Sequence, residues 1–144
     1  MIAVDSNILV YAHRADSSWH VPAESTVRTL AEGRATWAIP WPCLHEFLAI
    51  CTHPRIYDPP TPLEAALEQV DRWIESPTVV LLHEGPGYLG VLRDVLRGSM
   101  VGGGAVHEAR IAALCRFHGV REILSADRDF SRFSGLSPRN PLRG

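Results

Sequence analysis

Short apolar runs alternate along this chain with longer stretches of helical periodicity. Met1-Ile2-Ala3-Val4 predicts a first strand that stops at Asp5, and Ile8-Leu9-Val10-Tyr11 restart the apolar pattern in a helical segment over 7–14. Ser6 and Asn7, between them, are helix-capping residue types. A second helix is expected from Trp19 to Leu30, entered through Ser17-Ser18 and ended by Gly33, with a strand at Ala35–Ile39. Pro40 and Pro42 open a helix carrying Leu44, Phe47, Leu48 and Cys51 at helical spacing, closed by His53-Pro54. After the Pro-rich connection 58–62, the pattern predicts a helix at Leu63–Ile74, a strand at Thr78–Leu82 and a short helix near Tyr88–Leu96. Gly98–Gly104 connects to a helix from about Ala105 to His118, and Glu122–Ser125 is the last clear strand. Residues 126–144 read as loop, with Phe130 and Phe133 as anchors.

Strands separated by helices indicate an α/β fold. The expectation is one domain over 1–144, with a mainly parallel central sheet flanked by helices. Internal repeats and breaks in composition are absent from the sequence.

Composition narrows the chemistry. No apolar run approaches the roughly 18 residues of a membrane span, and the first residues lack a signal peptide's basic segment and apolar stretch. A cytoplasmic protein is expected. Cys43, Cys51 and Cys115 lack CxxC spacing and sit among apolar residues, as reduced core thiols do. All 14 basic residues are Arg. Without Lys, P-loop and Schiff-base chemistry are excluded. Net charge is −2, yet residues 109–144 hold seven Arg (110, 116, 121, 128, 132, 139, 143) against three acids. That quarter offers either a basic patch for phosphates or a solvated Arg-rich face.

The acids divide by their helical neighbours. Glu64, Glu68, Asp71 and Glu75 form one stripe, with Arg72 four residues after Glu68: a solvated helix face. Glu46 and Glu108 instead have mostly small or apolar neighbours at three and four residues, and Asp5 and Asp127 each follow a predicted strand. Asp129 precedes Phe130. These five are expected to be partly buried with no partner nearby in sequence. Either each finds an Arg, or several meet at one sheet edge. Two carboxylates about 4 Å apart repel by roughly 4 kcal/mol at an effective dielectric near 20, so a shared cleft calls for a cation. Oxygen ligands alone favour Mg²⁺ or Mn²⁺.

Competing motifs fail on single residues. His45-Glu46 and His107-Glu108 suggest HExxH zinc sites, but Ala49 and Ile111 stand where the second His belongs. A haloacid-dehalogenase-type phosphatase needs an acid two residues after its nucleophile, where this chain has Asn7, and a Lys. Gly102-Gly103-Gly104 reads as a helix connection rather than a phosphate cradle.

Val4-Asp5-Ser6-Asn7-Ile8-Leu9, Leu44-His45-Glu46-Phe47-Leu48, Val106-His107-Glu108-Ala109-Arg110-Ile111-Ala112-Ala113 and Ser125-Ala126-Asp127-Arg128-Asp129-Phe130 together resemble the ordered acidic motifs of PIN-domain nucleases. Thr52-His53-Pro54-Arg55-Ile56 and Asn140-Pro141-Leu142 are similar to segments of the VapC toxins of bacterial toxin–antitoxin pairs. The resemblance implies a Mg²⁺- or Mn²⁺-dependent endoribonuclease, cytoplasmic, usually a homodimer, and neutralised by a VapB-type antitoxin. It carries catalytic and metal-binding roles onto Asp5, Glu46, Glu108 and Asp127, and a metal-binding role onto Asp129. Ser6, Asn7 and Ser125 match positions that orient the first acid or approach the scissile phosphate, and Arg128 is expected on the RNA backbone. The family usually has Asp where this chain has Glu108, which raises the alternative of a catalytically impaired module that binds RNA or antitoxin.

Overall fold

The computed structural model describes residues 1–143. Strand β1 (Ile2–Val4) leads into helices α1 (Ser6–His13) and α2 (His20–Glu32), then β2 (Trp37–Pro40). Helices α3 (Trp41–Cys51) and α4 (Leu63–Ile74) connect β2 to β3 (Val79–Leu82). Helices α5 (Tyr88–Ser99) and α6 (Val106–Phe117) lead to β4 (Glu122–Leu124), and β5 (Ser137–Arg139) follows. The sheet order is β3-β2-β1-β4-β5, and every pairing is parallel rather than mainly so. From β1 the chain builds outward through β2 and β3, then returns across β1 to add β4 and β5. The order reverses between β1 and β4, and in such sheets the crevice beyond the strand ends at the reversal is where ligands bind.

Burial explains the element types. All four residues of β2 are buried, as suits a strand covered on both faces. Helix α6 buries Ala109 and every residue from Ile111 to Cys115, so it packs within the molecule rather than on its surface. Helix α4 keeps the acidic stripe Glu64, Glu68, Asp71 in solvent, followed by exposed Glu75. Arg72 there donates to Gln69 at 3.4 Å and makes no ion pair with Glu68. The three cysteines are buried and unpaired, as expected.

Two local expectations are corrected. Residues 126–144 are not simply loop: Arg128–Arg132 form a 3-10 turn, and Ser137-Pro138-Arg139 pair with β4 as the edge strand. Pro is tolerated there because an edge strand has a side that needs no ladder donor. Phe130 and Phe133 do anchor this segment, buried with ring centroids 6.1 Å apart. Helix α1, in turn, is capped by Asp5 itself, whose side chain accepts from the Ser6 N–H, and not by Ser6 or Asn7.

Candidate active site

Val4 and Leu124 are partners in the β1–β4 register, so the next residues, Asp5 and Ser125, emerge side by side at the sheet's switch point. Helix α3 starts directly after β2 and carries Glu46 to this edge, while the first turn of α6 carries Glu108. Asp127 enters from the turn after β4. A cleft of about 460 Å³ is lined by all four of these acids, with Ser6 and Asn7. The sequence-predicted carboxylates converge.

Asp5 is 4% exposed and well supplied with donors. Its Oδ1 accepts from the Ser6 N–H at 2.7 Å and faces the Cys43 thiol at 3.6 Å; its Oδ2 accepts from Ser125 Oγ at 2.7 Å. These donors compensate part of the buried charge. Burial nevertheless pushes the Asp5 carboxyl above its ordinary value, against the pull of the Ser125 and Ser6 hydrogen bonds and with the Glu46 charge adding to it.

The hydroxyl directions follow by elimination. Ser125 Oγ receives the Asp127 N–H at 2.9 Å and Asn7 Nδ2 at 3.3 Å, which leaves its single proton for Asp5 Oδ2. Asn7 is held in that orientation because its Oδ1 accepts from the Ala126 N–H at 3.2 Å. Ser6 Oγ donates to Glu46 Oε2 at 2.9 Å and so ties the two acids of this side of the cleft together.

On the other side, Glu108, Asp127 and Asp129 bring carboxylate oxygens within 4.8 Å of one another. Asp127 Oδ1 also accepts the Asp129 N–H at 2.8 Å and so caps the 3-10 turn. Burial raises the Glu108 carboxyl, helped by the Asp127 charge and opposed by Arg132. The expectation of no partner nearby in sequence is corrected for Asp129, three residues from Arg132; Glu108 meets the same guanidinium from 24 positions away. Arg132 Nη2 lies 3.1 Å from Glu108 Oε2 and 3.1 Å from Asp129 Oδ2, and Asp129 is largely exposed. Asp129 joins the cluster but does not line the cleft.

Arg132 and Arg110 among five carboxylates still leave an excess of negative charge, and the carboxylate oxygens suit a hard divalent cation. Sequence reasoning missed His45, His107 and Arg110, which also line the cleft. The two His were weighed only as zinc ligands. Their position beside Glu46 and Glu108 on helices was the available signal. Of the two readings of the C-terminal arginines, the basic patch is partly cancelled, since Arg110 faces Glu84 at 3.7 Å and Arg139 faces Glu122 at 2.8 Å.

The chain's likeness to known proteins agrees with this geometry. The family profile described as PIN domain matches residues 2–136. Ribonuclease VapC48 of Mycobacterium tuberculosis is 32% identical over 140 residues, 97% of each chain. VapC ribonuclease Mb2897 of Mycobacterium bovis is 32% identical over 144 residues, covering all of this chain and 97% of the relative. In fold, the chain is similar to VapBC2 from Rickettsia felis bound to a promoter DNA fragment, with a TM-score of 0.67, 17% identity and coverage of 97% of this chain and 98% of that one. Mycobacterium tuberculosis VapC20, a sarcin-ricin loop cleaving toxin, superposes with a TM-score of 0.66 at 18% identity, over 96% of this chain and 100% of that one. With a profile spanning nearly its whole length and full-length relatives at this identity, the chain belongs to the PIN domain family.

Proposed function

We propose that this chain is a Mg²⁺- or Mn²⁺-dependent endoribonuclease that acts as the toxin of a toxin–antitoxin pair. The observation that carries this reading is the meeting of Asp5, Glu46, Glu108 and Asp127 in one cleft at the sheet's switch point. The ribonuclease names of its full-length relatives support the substrate class. The VapBC complex among its structural neighbours supports a VapB-type antitoxin as partner. A homodimer in the cytoplasm completes the proposal; no helix among the described residues is long and apolar enough to cross a membrane.

Asp5, Glu46, Glu108 and Asp127 would hold the cation, with Asp129 at the margin. When bound, Mg²⁺ or Mn²⁺ neutralises charge on the phosphoryl oxygens and eases the ionisation of water at neutral pH. The chain's own contribution is placement. Ser125 fixes Asp5 Oδ2, Asn7 and the Asp127 N–H fix Ser125, and Ser6 couples Asp5 to Glu46. Arg128, beside Asp127, is assigned to the RNA backbone. Purified protein incubated with RNA is expected to cleave it in Mg²⁺ or Mn²⁺ and to stop in EDTA. Cleavage unaffected by EDTA would refute the cation's role, and no cleavage under any cation would refute the nuclease.

One observation favours the second reading, a PIN-domain module with impaired chemistry: Arg132 occupies oxygens of Glu108 and Asp129 that a cation would need. All three groups are partly solvated, so the pairing is screened and modest. Arg132→Met is therefore expected to tighten Mn²⁺ binding about fivefold, on the order of 1 kcal/mol, as measured by titration calorimetry. Unchanged or weaker binding would show that Arg132 does not compete for this site.

A further inference from the structure

A second pocket of about 300 Å³ shares Asp127 with the acidic cleft. The 3-10 turn supplies Arg128 and Ser131 to it, and the segment from β5 onward supplies Asn140 and Arg143. Because Asp127 lines both spaces, the pocket adjoins the cleft. Among the described residues Arg128 and Arg143 have no carboxylate partner, whereas Arg110 and Arg139 each have one and Arg132 has two. Asn140 Oδ1 is engaged by the Leu142 N–H at 2.9 Å, which leaves its amide nitrogen as a donor, and the Ser131 hydroxyl has no partner among the described residues. Two unpaired guanidinium groups, an amide nitrogen and a hydroxyl gathered in one pocket form a donor set for a tetrahedral oxyanion. Arg110, which lines the cleft itself, faces Glu84 at 3.7 Å. The two guanidinium groups of this pocket, without a carboxylate partner among the described residues, therefore lie to one side of the cleft.

We propose that this pocket is a phosphate subsite, in which Arg128 and Arg143 hold the phosphodiester neighbouring the scissile one and so set the direction of the RNA strand. The inference rests on the ribonuclease reading and adds to it a site, its ligand and a polarity. A phosphodiester is favoured over a carboxylate of an acidic peptide because the pocket adjoins, at Asp127, the cleft that would receive the scissile linkage.

The test uses a single-stranded RNA decamer in which one linkage at a time is an uncharged methylphosphonate. With the parent protein in Mg²⁺, neutralising one linkage adjacent to the cut is expected to lower kcat/KM about tenfold. In Arg128→Gln/Arg143→Gln, the same neutralisation is expected to cost almost nothing further. A parallel arm measures RNA binding by fluorescence anisotropy on Asp5→Asn protein in Mg²⁺, so that it does not depend on turnover. There the added double substitution should weaken binding and flatten the log–log salt dependence by about 0.7, the value of one single-strand phosphate. If RNA is cut but the methylphosphonate penalty is the same in parent and variant, the subsite is refuted and the nuclease stands. If nothing is cut but the anisotropy arm shows the loss, the subsite stands and the nuclease falls. Loss of binding to a poly-glutamate peptide with RNA binding intact would make the pocket a protein-docking site and overturn the proposal. Absence of RNA binding would overturn it as well.

Discussion

Asp5→Asn is expected to reduce RNA cleavage by about 10³-fold or more while the chain stays folded. Charge stabilisation by a bound cation is worth several kcal/mol, each 1.36 kcal/mol being about tenfold in rate. In the proposed function Asp5 is one of the carboxylates that would hold that cation. Its Oδ1 and Oδ2 are already oriented by Ser6, Cys43 and Ser125, and the Glu46 hydrogen bond runs through the neighbouring Ser6. An amide keeps the shape of the carboxylate and removes its charge.

Stability should change little. Burial raises the Asp5 carboxyl, so the folded chain binds that proton more tightly than the unfolded chain does. With more protons bound in the folded state, stability falls as pH rises past the unfolded carboxyl value of about 4. In EDTA at neutral pH, Asp5→Asn sheds the buried charge but sets an amide NH₂ against the Ser6 or Ser125 donor, so it should melt close to the parent, and it should gain less from added Mn²⁺. Thermal melts with and without Mn²⁺, run beside an RNA cleavage assay, check both halves. Full cleavage by the variant would remove Asp5 from the site, and an unfolded variant would assign it a structural task.

Glu108→Asp is expected to lower cleavage by about 100-fold, although the resemblance to PIN-domain nucleases implies Asp at this position. The longer side chain already brings a Glu108 oxygen within 4.8 Å of oxygens of Asp127 and Asp129 and into contact with Arg132. Withdrawing the carboxylate by one methylene shifts it by on the order of 1 Å, a displacement that can cost about 100-fold in rate. The second half of the expectation is weaker Mn²⁺ binding by calorimetry. A rise in cleavage on shortening would mean instead that the native glutamate holds its oxygen off the best position, and would favour the impaired-module reading.

What was legible along the chain was local. The acidic stripe of α4 announced itself because helical spacing depends only on residues a few positions apart. Helix α3 was placed by its two prolines and by Leu44, Phe47 and Cys51. The fifth strand was not legible. Ser137-Pro138-Arg139 has no apolar alternation, and it is a strand only because β4 lies beside it as a partner. Capping was legible in principle and was missed. Asp5 and Asp127 were weighed only as cation ligands, although Asp is a favoured cap and each caps the turn that follows it.

The amino-acid order alone determined an α/β fold and set aside Asp5, Glu46, Glu108, Asp127 and Asp129 from the solvated acids, because secondary structure and burial tendency are written in near neighbours. Tertiary structure alone decided that Ser125 reaches Asp5 across 120 positions of chain and Ser6 reaches Glu46 across 40. It also decided that Arg132 turns to Glu108 while Arg128 stands without a carboxylate partner among the described residues. Coulombic and hydrogen-bond energies depend on distance through space, and positions along the chain do not encode that distance until the sheet order brings the strand ends together.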